Sequence, residues 1–285
     1  MKAKDLYNQL EKDFVKPNMK ENWYDEDMFE IEEYICDNFK HRSMGLLCDF
    51  TQEINKVYTA VFPSDRVLTR IIEDNIYGAM LFLHHPMDWD LNKYPDKAFY
   101  VMDEALLKQL REKRVTLFNF HYPLDNYSNY SNSKTLAEAM SIVIEKPFAE
   151  FSGALCGVIG TTDCKDIHEL NKKYSHAVGH ETKLYQYGEN TIINNKVAIV
   201  AGGGNDADVV NEVIENGVNV LISGLSLNNK YSAAAHEIEK ENGINLLGGT
   251  HYSSEKFGCI AMCEYFKMFG LPSEFIDDSP CFEDL

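Results

Sequence analysis

Three apolar, strand-like runs in this 285-residue chain each deliver histidine to their C-terminal side. Ala79-Met80-Leu81-Phe82-Leu83 stops at His84-His85-Pro86, where the proline ends ladder pairing. Val115 to Phe120 runs into His121-Tyr122-Pro123-Leu124-Asp125, and Ile244 to Leu247 passes through Gly248-Gly249 into His251-Tyr252-Ser253-Ser254-Glu255. A single His-His step would read as a surface strand end. Three strands leading into histidine, in a chain with nine histidines, argue for a shared purpose. His251 and Glu255 are four apart at a helix start, which puts both side chains on one face. His121 and Asp125 have the same separation, with Pro123 between them. These stretches offer four imidazoles and two carboxylates, more than one ion needs. Nitrogen and oxygen donors without thiolate favour zinc, iron, manganese or cobalt over calcium or magnesium. Two such ions, about 3.5 to 4 Å apart, can acidify a shared water and polarise a carbonyl or phosphoryl oxygen.

The elements that must position these residues follow a strand and helix rhythm. Apolar spacing predicts helices in residues 1–40 through Leu6, Leu10 and Phe14 and through Met28, Ile31, Tyr34 and Ile35, broken at Lys16-Pro17-Asn18. Nothing catalytic is legible there. Strands are expected at 44–48 and 54–62, then a helix capped by Ser64-Asp65, then the strand Ala79 to Leu83. Strand, helix, strand is the unit that builds parallel sheets, whose C-terminal edge is where ligands bind. A polar loop at 87–95, a helix at 103–113 and the strand 115–120 complete a second such unit. The polar run 126–133 leads into a helix expected from Leu136 to Ile144, and marks a domain boundary. Beyond it come a strand near 156–160, a helix at 166–174, and the strand 196–201 with a Gly202-Gly203-Gly204 turn. That turn matches neither dinucleotide nor Walker A spacing, so it reads as a tight turn with Asn205 or Asp206 as helix cap. A strand at 218–222 and a helix at 233–239 precede the last histidine motif. His176 and His180 read as an exposed turn, and His236 does not face its neighbour Glu237.

A formal charge of −18, from 45 acids against 27 bases, opposes nucleic acid and anionic membranes as partners. The N-terminus lacks signal-peptide character and no run is long enough to span a bilayer, so a cytoplasmic protein is expected. Seven scattered cysteines without a Cys-x-x-Cys pair fit reduced thiols, with Cys259 and Cys263 on a buried helix face.

The His84-His85-Pro86 step, the His121/Asp125 pair and the run Gly249-Thr-His-Tyr-Ser-Ser-Glu-Lys-Phe-Gly258 together resemble the Nif-three-like family, a dinuclear-metal group often named GTP cyclohydrolase I type 2 homologues. The resemblance covers Met44 to the helix after Gly258. It implies a two-domain α/β fold with mixed and parallel sheets flanked by helices, assembled as a ring-shaped homo-hexamer. It carries the metal-ligand positions onto His84, His85, Asp125, His251 and Glu255, with His121 lining the site. Two departures remove acids the family usually has: Phe62 replaces an aspartate after the strand through Val61, and Ser223-Gly224-Leu225 replaces Thr-Gly-Asp. The domains expected are residues 1–128 plus 237–285 around the metal site, with 129–236 inserted as a middle α/β domain.

Two functions are open at this stage. The first is a dinuclear metal-dependent hydrolase of a small, nucleotide-like substrate, GTP cyclohydrolase-like, with His121 as catalytic proton shuttle. The second is a non-enzymatic metal-binding or regulatory hexamer.

Overall fold

The computed structural model describes residues 1–93 and 99–285 of the chain. Its strands are β1 (Gly45–Cys48), β2 (Lys56–Ala60), β3 (Ala79–Leu83), β4 (Asp88–Trp89), β5 (Phe99–Tyr100), β6 (Val115–Asn119), β7 (Val143–Phe151), β8 (Ala154–Thr161), β9 (Lys183–Tyr185), β10 (Lys196–Val200), β11 (Val220–Ser223), β12 (Asn245–Gly248) and β13 (Ser273–Phe275). The chain divides into two compact units, the first comprising 1–124, 152–154 and 259–279, the second 125–151, 155–258 and 280–285.

In the first unit a five-stranded sheet runs β1-β6-β3-β2-β13. The neighbours of β3 are both parallel to it, with Leu83 opposite Asn119 on β6 and opposite Ala60 on β2. Every residue of β3 is buried, which explains its unbroken apolar run. The flanking helices form where the sequence signals them. Ser64 accepts a hydrogen bond from Val67 N–H ahead of the helix Asp65–Glu73, and Asp103 accepts from Ala105 and Leu106 N–H ahead of Glu104–Glu112. Their apolar faces, Leu68 and Ile71 on one and Leu107 and Leu110 on the other, join Leu81, Leu83 and Leu117 in one core. Residues 1–40 form the helix Ala3–Phe14, a 3-10 segment Glu26–Tyr34 and the start of Asp37–Arg42. The expected 87–95 loop contains β4, which pairs with β5; Tyr94 and Pro95 lie outside the described residues.

In the second unit a six-stranded sheet runs β7-β8-β10-β11-β12-β9, with β10, β11 and β12 parallel and both β8 and β9 antiparallel to their inner neighbours. Alternate residues serve opposite faces: Val197 and Ile199 enter one core, Ala198 and Val200 another. Three strands therefore end side by side, since Val200 and Gly248 both pair with Ser223.

One sequence expectation is corrected here. The helix expected to Ile144 stops at Ala139, because Ser141 takes a left-handed φ of 51° and Ile142 N–H turns back to Ala137 O. The following residues form β7, whose Pro147 is tolerated because the strand lies at the sheet edge. β12 hydrogen-bonds to β11, and the chain stays in the second unit through Gly258. Among the described residues no helix is long and apolar enough to cross a membrane.

Candidate metal centre

His84, His85 and His121 of the first unit stand at the C-terminal ends of β3 and β6, fixed by backbone pairing that outlasts the strands. His84 N–H donates to Ala60 O at 3.1 Å and His85 N–H to Val61 O at 2.9 Å, while Phe120 N–H donates to Leu83 O at 3.0 Å. Buried Asn119 locks the corner through its Nδ2, which donates to His84 O at 2.5 Å. The consequence is that one ligand atom from each of His84, His85 and His121 falls within 4.8 Å of the others. His84 and His85 are fully buried and His121 is half-buried.

Which nitrogen each ring presents depends on what its other nitrogen touches. His84 Nδ1 is 3.1 Å from Phe120 O, and a carbonyl can only accept, so the ring proton sits on Nδ1 and the lone pair on Nε2. His121 Nδ1 meets the carboxylate of Glu21 at 3.2 Å with the same result. Oxygen acceptors behind ligand imidazoles are the usual support of a metal site. The walls are aromatic. Phe62, at the position where an acid was expected, stacks on His85 at 4.8 Å, and Trp23 and Phe99 approach the same ring at 5.6 and 5.3 Å.

In the second unit, His251 and Glu255 open the helix His251–Lys267 directly beyond β12. Both are buried, and His251 Nε2 lies 3.2 Å from Glu255 Oε2. Asp284 holds the helix start by accepting from His251 N–H at 2.7 Å. Asp125 is buried too, its Oδ1 accepting from Asn132 Nδ2 at 2.8 Å, and a carboxylate oxygen of Asp125 lies within 4.8 Å of one from Glu255. The glycine turn after β10 makes room: Gly202 has φ +68°, and a Cβ there would fall 2.0 Å from Glu255 Oε1. Gly202 N–H donates to Ser254 Oγ at 2.9 Å, which pins the turn to the same helix. Asp206 caps the next helix by accepting from Asp208 N–H.

His84, His85 and His121 stand at strand ends, His251 and Glu255 in the opening turns of a helix, and Asp125 at the close of the short helix Tyr122–Asp125. The buried histidine and carboxylate groups can hold metal ions. Sequence reasoning did not connect Glu21, Asn132, Gly202 or Asp284 with the site: Glu21, Gly202 and Asp284 meet partners distant in sequence, and Asn132, seven residues after Asp125, lies in a run that reads only as a polar loop. The other histidines stand apart. His236 meets Tyr187 at 2.9 Å and Glu239 at 3.3 Å rather than Glu237, and His180 bonds Ser253 Oγ at 2.8 Å while His176 is exposed. Cys259 and Cys263 are buried, as their spacing implies, with Cys259 Sγ donating to Ala60 O.

Comparison with known proteins gives the chain its relatives. The model of the Duf34/NIF3 family (NGG1p interacting factor 3) matches residues 34–280. The GTP cyclohydrolase 1 type 2 homolog of Borreliella burgdorferi is 27% identical over 243 residues, covering 85% of this chain and 89% of its own, and that of Pyrococcus horikoshii is 26% identical over 238 residues, covering 82% and 88%. Among solved structures, the protein ybgI, described as of unknown function, superposes with a TM-score of 0.75 at 19% identity, covering 99% of this chain and 100% of its own. That likeness establishes the fold.

Proposed function

Because the chain belongs to the Duf34/NIF3 family, we propose that it binds two divalent metal ions, zinc, iron, manganese or cobalt, through His84, His85, Asp125, His251 and Glu255. The observation that carries this reading is the trio His84, His85 and His121, whose ligand atoms gather within 4.8 Å at the ends of two parallel strands. The donors fit the ions: nitrogens and carboxylate oxygens without thiolate, with His84 and His121 already turned by acceptors at Nδ1. When bound, such ions supply Lewis acidity and a more acidic water.

The reaction that suits this chemistry is hydrolysis of a small substrate, nucleotide-like by the names of the curated relatives. His121 is half-buried and stands beside His84 and His85, with ring centroids 5.1 and 4.8 Å away. It is the group we assign to moving a proton between substrate and solvent. Aromatic walls from Trp23, Phe62 and Phe99 limit water at the same place. The resemblance further proposes a homo-hexamer, and a cytoplasmic location is proposed beside it.

Metal content per chain, measured by elemental analysis on protein purified without chelator, tests the reading. Near two ions in the parent, falling below one in Glu255→Ala, supports it and directs a hydrolysis screen with small esters and nucleotides. A parent that carries no metal and takes up none on titration overturns it.

A further inference from the structure

The family match begins at residue 34, so the first 33 residues lie outside it. They are nonetheless built into the first unit. The α-amino group of Met1 donates to Ile54 O at 2.9 Å, Ala3 N–H donates to Gln52 O at 2.9 Å, and the buried Tyr7 hydroxyl bonds Thr116 Oγ1 at 3.1 Å. Past the helix Ala3–Phe14 this segment brings Glu21 and Trp23 to the histidines.

Glu21 is an acid with 1% of its side chain exposed, and three N–H groups converge on it. Its Oε2 accepts from Trp23 Nε1–H at 2.6 Å and from His121 Nδ1 at 3.2 Å, and its Oε1 accepts from Tyr122 N–H at 3.1 Å. A buried carboxylate survives only when its lone pairs are filled, and here the donors also fix its plane. The bond to Tyr122 N–H ties it to the backbone directly after His121. The indole that donates to it stands edge-on to His121 at 5.1 Å and to His85 at 5.6 Å. A carboxylate held this rigidly behind Nδ1 selects one tautomer of His121 and one ring orientation, with the Nε2 lone pair as the basic position.

We propose that Glu21 is a positioning residue for His121, contributed by an N-terminal segment that the family match does not include, and that it sets His121 for proton transfer at Nε2. The inference rests on the reading of His121 as the proton-moving group beside the proposed metal ligands. The alternative is that Glu21 only anchors the chain through Trp23 and Tyr122.

The tautomer separates these. Imidazole ¹⁵N spectra of the metal-free protein, with His121 assigned through His121→Gln, show Nδ1–H for His121 in the parent. In Glu21→Gln, which keeps the size of the side chain, and in Glu21→Ala, that proton moves to Nε2 in a substantial fraction of molecules. Zinc binding by the parent, from chelator competition, tests the metal reading separately. Retention of Nδ1–H in both variants, or Nε2–H in the parent, overturns the proposal. A parent that binds no zinc refutes the metal reading instead, and the tautomer comparison then still decides whether Glu21 sets His121.

Discussion

Replacing Gly202 by alanine tests how tightly the second unit's ligand carboxylate is seated, and Gly217→Ala supplies the comparison. Both glycines have left-handed backbones, φ +68° and +65°, so each alanine carries the same conformational penalty of about 1 kcal/mol. They differ in surroundings. A Cβ at Gly217 meets nothing within 4 Å, whereas one at Gly202 falls 2.0 Å from Glu255 Oε1 and 3.3 Å from His251 Cδ2. Gly202 has little freedom to retreat, because its N–H is bonded to Ser254 Oγ and its carbonyl accepts from Leu225 N–H at 2.8 Å. Glu255 must therefore rotate off its rotamer and lose its 3.2 Å approach to His251, which adds about 2 kcal/mol. Urea denaturation with unchanged m-values then places Gly217→Ala about 1 kcal/mol below the parent and Gly202→Ala about 3 kcal/mol below. Zinc titration finds Gly217→Ala like the parent and Gly202→Ala short of metal. Equal loss of stability in the two variants, with zinc binding intact in both, would refute the account of Gly202 as the cradle of Glu255.

Two further outcomes follow from buried polar groups. Burial pushes the Glu239 carboxyl up to about 8 from its ordinary 4.5, Lys240 opposing weakly, so it stays protonated in the folded protein while the unfolded chain ionises. Stability therefore falls as pH rises from about 4.5 to about 8, by on the order of 3 kcal/mol at pH 7, and Glu239→Gln flattens that limb in unfolding measured across pH; an unchanged slope refutes it. Asn132→Ala removes the 2.8 Å bond to Asp125, and elemental analysis is expected to show reduced metal content in a protein whose circular dichroism matches the parent; full occupancy would remove Asn132 from the support of the site.

The sequence by itself determined the parts of this protein whose physics is local. A fully buried strand must be apolar throughout, so β3 was legible down to its last residue, and a short polar side chain before an amphipathic stretch must cap it, so Ser64, Asp103 and Asp206 were legible as helix starts. Histidine after an apolar strand, with a carboxylate four residues on, is likewise a local pattern. Three of the edge strands carry no such signal. β7 is half-exposed and contains proline, and β9 and β13 have three residues each, so their existence depends on a neighbour's free edge.

Tertiary structure decided the rest. That β12 joins the second unit follows from parallel pairing with β11, a partner its own residues do not name. That Gly202 must be glycine follows from Glu255, 53 positions later, and that His121 presents Nε2 follows from Glu21, 100 positions earlier. Hydrogen bonds and close packing act over a few ångströms without regard to separation along the chain, so the candidate ligands could be read from sequence, but not the groups that hold them in place.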